Sequence, residues 1–138
     1  MFDFSTLATA PASEEGRRVL LVHTTTREPL KGSDGEQIWI SMAGQDSARY
    51  RRALAAHERR VAEKRAAKPE ADEAVEFDYE NTRRLMADLV VGWHSDVALG
   101  GEQIAPSAEN AERLFRDCPE IMEQVDRGSA GRALFLGA

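Results

Sequence analysis

The sequence predicts an α+β fold, mainly α: an N-terminal β-hairpin packed on a helical pair, followed by two shorter C-terminal helices. Three observations carry this expectation. Two β-rich runs near the start flank a turn-forming stretch, two long runs of helix formers follow, and two proline-marked helix starts close the chain. At 138 residues the chain has about the length of one domain. Residues 1–16, rich in Ser, Thr, Ala and Pro, are expected as a flexible N-terminal arm, and residues 17–138 as a single α+β domain.

The first strand is expected in "RRVLLVHT" (Arg17 to Thr24), which carries four β-capable apolar residues in a row. The second is "EQIWISM" (Glu36 to Met42), where Ile38, Ile40 and Met42 alternate with Gln37, Trp39 and Ser41. Between them "REPLKGSDGE" has the composition of a reversal, with Pro29, Gly32 and the Asp34-Gly35 pair. A lone hairpin is only marginally stable in water, so it needs a support.

That support is expected to be helical. From Asp46 or Ser47, either a suitable N-cap, "SARYRRALAAHERRVAEKRAAK" contains neither Gly nor Pro and is dense in strong helix formers. Its apolar stripe is a narrow seam of Tyr50, Leu54, His57 and Val61, and Pro69 is expected to end it. A second helix is read over roughly Asp72 to Trp93, with Val75, Tyr79, Met86, Val90 and Trp93 on one side, reinforced by Leu85 and Leu89. The short link implies an antiparallel pair. Gly100-Gly101, between Leu99 and Ile104, reads as a hairpin corner, because such turns place both central residues at positive φ. Ser107 is then a suitable N-cap for "AENAERLFRD", and Pro119 fits the first turn of "PEIMEQVDRG". Gly128, Ser129 and Gly131 loosen the chain before the apolar tail "ALFLGA".

Charge is distributed in blocks. Between Arg49 and Lys68 there are eight basic residues and two acidic ones, whereas Glu70 to Glu80 holds six acidic residues and no basic one. If the two helices pair, the blocks lie side by side and neutralise each other. The net charge of −6 argues against general nucleic-acid binding. No run approaches the length of apolar residues needed to cross a membrane, and the first residues lack the pattern of a signal peptide, so a cytoplasmic protein is expected.

Reactive side chains form no constellation by spacing. His23, His57 and His94 are scattered, and "HERRV" lacks the second histidine of a zinc-binding HExxH. Cys118 is the sole cysteine; its place before Pro119, near a helix start, is the one feature that could activate it, but no base or orienting acid accompanies it. Asp72, Glu73, Glu76 and Glu80 read as a solvated helix face, and no phosphate-binding glycine motif is present. No catalytic residue, metal or cofactor is expected.

The order of features resembles that of the tail assembly chaperones of long-tailed bacteriophages and their prophages. The resemblance rests on "MFDFSTL", "TREPL", "GQDSARYRRA", "LVVGWHSDVALGGEQIAPSAENAERLF" and "PEIMEQVDRGSAGRALFLG", and covers nearly the whole chain. It implies a protein of the infected host's bacterial cytoplasm that binds the tape-measure protein, keeps it soluble and recruits tail-tube subunits. It also implies self-association, frequent occurrence beside a frameshifted longer form, and loss before the virion is complete. No nucleic-acid or membrane partner is implied. A holdase needs apolar surface left over from its own core. The residues expected to supply it are Phe2 and Phe4 on the arm and Leu134, Phe135 and Leu136 on the tail, although the tail, Phe135 included, has packing back on the helices as its alternative. The competing readings are a structural tail-completion component of the virion and a small nucleic-acid-binding adaptor that uses the basic helix, residues 49–68.

Overall fold

The computed structural model describes residues 1–67 and 74–137, with the side chains of 74–78 outside the description. After a 3-10 turn at Phe4–Leu7, the elements run α1 (Ala10–Glu15), β1 (Arg17–Leu20), β2 (Trp39–Met42), α2 (Ala48–Ala67), α3 (Ala74–Asp88), β3 (Val90–Trp93), β4 (Ala98–Leu99), β5 (Glu102–Gln103), α4 (Ala108–Asp117) and α5 (Pro119–Ser129); a 3-10 turn, Ala133–Phe135, closes the order. The protein is α+β and mainly α, with an N-terminal hairpin-like sheet and C-terminal helices.

The two expected strands pair antiparallel, from Arg17 opposite Met42 to Leu20 opposite Trp39. They are shorter than the apolar runs suggest. Beyond Leu20 the chain folds into an excursion, in which Leu30 donates to the Leu21 carbonyl and Ile38 to the Leu30 carbonyl. A third strand completes the sheet, in the order β1-β2-β3. This corrects the expectation that the second helix runs on to Trp93: it stops at Asp88, and Val90–Trp93 pairs with β2. The physical reason is local as well as tertiary. Val90 and Val91 are β-branched and Gly92 is a poor helix former, while β2 offers a free edge to pair with. Trp93 therefore fastens a strand, donating from its indole Nε1 to the Ile104 carbonyl at 2.9 Å.

Period-two alternation places Ile40 and Met42 of the central strand at zero exposure, in one core with Phe115 of α4 and Val125 of α5, also at zero; α5 packs on this strand. α5 lies close on β1: a Cβ on Gly128 would sit 2.6 Å from the Val19 Cγ1. Gln124 of α5 ties down the chain beyond β1, accepting from the Val22 N–H and donating to the Val22 carbonyl, both at 2.9 Å.

Several turns form as their residues dictate. Ser47 caps α2, accepting from the Tyr50 N–H at 3.0 Å, and Ser107 caps α4, accepting from Asn110 at 3.1 Å. Pro119 opens α5. Gly100 and Gly101, at φ 60° and 83°, make the two-residue corner between β4 and β5.

The α2–α3 pair is tied by ion pairs Lys64–Glu80 (2.9 Å) and Arg60–Asp88 (3.8 Å), and by Arg49, which donates to the Asp88 and Val90 carbonyls at 3.4 Å. The contact seam differs from the expected one. Ala53 is the buried residue of α2, and Arg60 and Lys64 make the ion pairs, so the face on α3 runs Ala53, His57, Arg60, Lys64. Leu54, expected in the seam, is exposed. Pro69, Lys68, Glu70, Asp72 and Glu73 lie outside the described residues, as do the side chains of Val75 and Glu76. No described helix is long and apolar enough to cross a membrane.

Replacing Phe115 with Ala empties part of the sheet–helix core and is expected to cost about 3–5 kcal/mol. Leu20→Ala, at a 56% exposed position, is expected to cost under about 0.5 kcal/mol. Urea unfolding of both variants measures the difference.

Candidate partner-binding surface

The N-terminal segment is built from its capping residue outward. Asp3 accepts from the Ser5 N–H through Oδ1 at 2.9 Å, and the Asp3 carbonyl accepts from the Thr6 hydroxyl at 3.2 Å, which winds Phe4–Leu7 into a 3-10 turn. The Ser5 N–H also holds the Asp3 carboxyl below its usual range. Phe2, just before the cap, sets its ring edge to face on that of Phe4, centroids 5.0 Å apart. Both stay exposed, at 66% and 73%, and Leu7 joins them at 55%.

The rest of the expected arm carries structure. Pro11 lies in the first turn of α1, and Ala12 and Ser13 of that helix are buried. α1 packs against the C-terminal turn Ala133–Phe135. The two ends of the chain thus meet over the loop between β2 and α2. Gly44 donates to the Ser13 carbonyl, and a Cβ on Gly44 would strike Ser13 and come within 3.0 Å of the Phe135 ring. Beside it, Asp46 accepts from the Thr9 hydroxyl and from Arg132, whose Nε and Nη2 lie at 2.8 and 2.9 Å. Arg132 is the largest cause that lowers the Asp46 carboxyl to about 2, followed by the Thr9 hydroxyl.

Of the five tail and arm residues expected at a partner surface, Phe2, Phe4 and Leu136 are exposed. Leu134 is half-buried against the core. Phe135 is a correction: its ring is at zero exposure, because Gly44 leaves room for it beneath α1. Leu7 is the residue that sequence reasoning missed, although its place three positions after Phe4 puts both on one side of a helical turn.

Of the acidic block expected to neutralise the basic helix, Glu80 is the member whose side chain is described, and it pairs with Lys64. Lys64 lowers the Glu80 carboxyl, chiefly through its hydrogen bond. Yet Arg51, Arg52, Arg59 and Arg65 are exposed and form no ion pair among the described residues.

His94, Asp34 and Glu36 come close enough to hold a cation between them. The hydrogen bonds assign His94 another task. Its Nδ1 accepts from the Asp96 N–H at 3.0 Å, so the ring proton of the neutral form sits on Nε2, which donates to Asp34 at 3.1 Å. A metal-bound imidazole needs its proton on the nitrogen facing away from the metal, and here that nitrogen is occupied as an acceptor. Asp96 in turn accepts from the Ser33 N–H and hydroxyl, closing residues 32–36 over the buried ring. The Cys118 thiol is pushed up by burial and secondarily by the Asp117 carboxylate, opposite to the lowering that a helix start would cause, so it is poorly suited to act as a thiolate.

In comparisons with known proteins, no family model, no curated protein and no solved structure matches the chain.

The Asp46 pairing has a defined acid dependence. Its carboxyl is depressed on folding, so the stabilisation is complete above the ordinary value of 3.8 and is lost as pH falls through about 2. The stability gap between wild type and Asp46→Asn is expected to be constant above about pH 5 and to close as the pH approaches the depressed value, read from urea midpoints across the acid range.

Proposed function

We propose that this chain is a tail assembly chaperone of the long-tailed bacteriophage type. It binds the tape-measure protein in the host bacterial cytoplasm, keeps its apolar helices soluble and helps recruit tail-tube subunits. One observation carries the reading: Phe4 and Leu7 on a capped turn, with the Phe2 ring set edge to face on Phe4, are left in solvent, beside a docked α1 whose neighbouring tail exposes Leu136. Side chains of that size on a preformed turn are suited to an apolar helical client, because little ordering remains to be done on binding. The charged exterior supports the same reading, since a holdase with exposed aromatics must itself resist aggregation.

A second reading, a nucleic-acid-binding adaptor, is favoured by four exposed arginines of α2 that form no ion pair among the described residues. The net charge of −6 weighs against it, because the remaining surface repels phosphate. The adaptor would show retention on DNA or RNA that falls steeply with salt, whereas the chaperone would not.

Deleting residues 1–8 removes the aromatic turn and leaves α1 in place. The deletion is expected to weaken capture of a tape-measure fragment roughly tenfold or more, as the loss of interface anchors does, with the melting temperature little changed. Leu136→Ser is the matching change at the other end; removing residues 133–138 would take out the core ring of Phe135 and read as unfolding. Undiminished capture by both variants would reject the chaperone surface.

A further inference from the structure

Helix α2 carries two stripes one residue apart. Ala53, His57, Arg60 and Lys64 face α3; Leu54, Glu58, Val61 and Arg65 follow one position later, and Arg51 extends that outer stripe by a turn. Leu54 is 37% exposed, Arg51, Glu58 and Arg65 are exposed, and Val61 is half-buried. A shallow depression of about 290 Å³ runs beside them, lined by His57, Glu58, Val61, Ala62 and Arg65.

The outer stripe has a heptad pattern. Leu54 and Val61 are seven residues apart, and Arg51, Glu58 and Arg65 give charges in the order plus, minus, plus at the same interval, spanning about 21 Å of helix. The two end arginines make no ion pair among the described residues; Arg51 contributes only its field to Asp46, whose carboxylate is held by Arg132.

We propose that this stripe docks an amphipathic helix of the client protein whose charges run acidic, basic, acidic at seven-residue intervals, with apolar residues between them. The proposal rests on the holdase reading and names a second surface for it and the chemistry of the bound segment. Charge complementarity selects the occupant. A second copy of α2 is disfavoured in either direction: a parallel partner sets each charge against its like, and an antiparallel one sets Arg51 against Arg65 and Glu58 against Glu58. A phosphate backbone meets Glu58 at the centre of the stripe and leaves Leu54 and Val61 without an apolar partner. A helix with the inverse charge order satisfies all three charges and covers both apolar side chains.

The test uses the full chain and three labelled helical peptides, followed by fluorescence anisotropy at low and physiological salt. One peptide has the acidic-basic-acidic order, one the inverse order, and one has the first order with its apolar positions changed to serine. The first is expected to bind about tenfold more tightly than the inverse, a few-fold per exposed charge pair, and the serine peptide more weakly than the first. Arg51→Glu combined with Arg65→Glu is expected to reverse the preference, with helical circular dichroism unchanged. Equal binding of the first two peptides, or an unreversed preference in the charge-swapped chain, overturns the proposal. So does tighter binding of a DNA or RNA oligonucleotide that the charge swap abolishes. If the swapped chain still captures a tape-measure fragment like wild type while the 1–8 deletion does not, this stripe is rejected and the holdase reading stands; a wild-type chain that captures no fragment rejects the holdase reading itself.

Discussion

The loop that leaves the central strand, Ala43–Ser47, holds the ends of the chain to its middle. Ala43 donates to the Leu89 carbonyl at the end of α3, Gly44 to the Ser13 carbonyl of α1, and Ser47 caps α2. Glu14 adds a second cap, accepting from the Ala48 N–H at 2.6 Å, where a carboxylate is favoured by the helix dipole. Because Gly44 has no side chain, Ser13 and the Phe135 ring can occupy the same small space. A larger residue would have to displace α1, the C-terminal turn or both, and the display of Phe2, Phe4 and Leu7 depends on α1 staying docked.

The molecule is held unevenly. Sheet, α4 and α5 share an apolar core with several side chains at zero exposure. The α2–α3 side adds Ala53, Met86 and Ala87 to that core but is more polar: the His57 Nδ1, Arg60 Nε and both amide atoms of Asn81 are buried with no hydrogen-bond partner among the described residues. With Ala53 its one buried residue, α2 contributes little apolar burial, which makes this the weaker side of the fold. A helix held in that way depends more on its capped start and ion pairs than on apolar burial, and it keeps its outer stripe clear of the core.

Under the proposed role the two candidate surfaces divide the work by chemistry. The aromatic turn supplies large apolar contacts with little specificity, whereas the outer stripe of α2 supplies charge order, which discriminates between helices of similar greasiness. The His94 network sits apart from both in its task. It pins the loop at residues 32–36 across the sheet edge, with Gly32 needed because a Cβ there would lie 2.8 Å from the His94 Cε1.

Sequence alone determined what rests on local rules: the β1–β2 hairpin, the cap at Ser107, the Pro119 start and the Gly100-Gly101 corner, because capping, proline geometry and turn-forming residues act locally; the α2 cap it left between Asp46 and Ser47, and the structure assigns it to Ser47 because Asp46 is held by Arg132 and Thr9. Exposure of Phe2, Phe4 and Leu136 was also legible, since these residues fall outside any periodic apolar face. Tertiary structure decided the rest. Val90–Trp93 became a strand because β2, some fifty residues earlier in the chain, had an edge to fill. The α2 seam rotated by one residue because small Ala53 allows close approach while the ion pairs of Arg60 and Lys64 set the face, which apolar periodicity cannot register. Phe135 went inside because Gly44, ninety-one positions away, left a space that fits a ring.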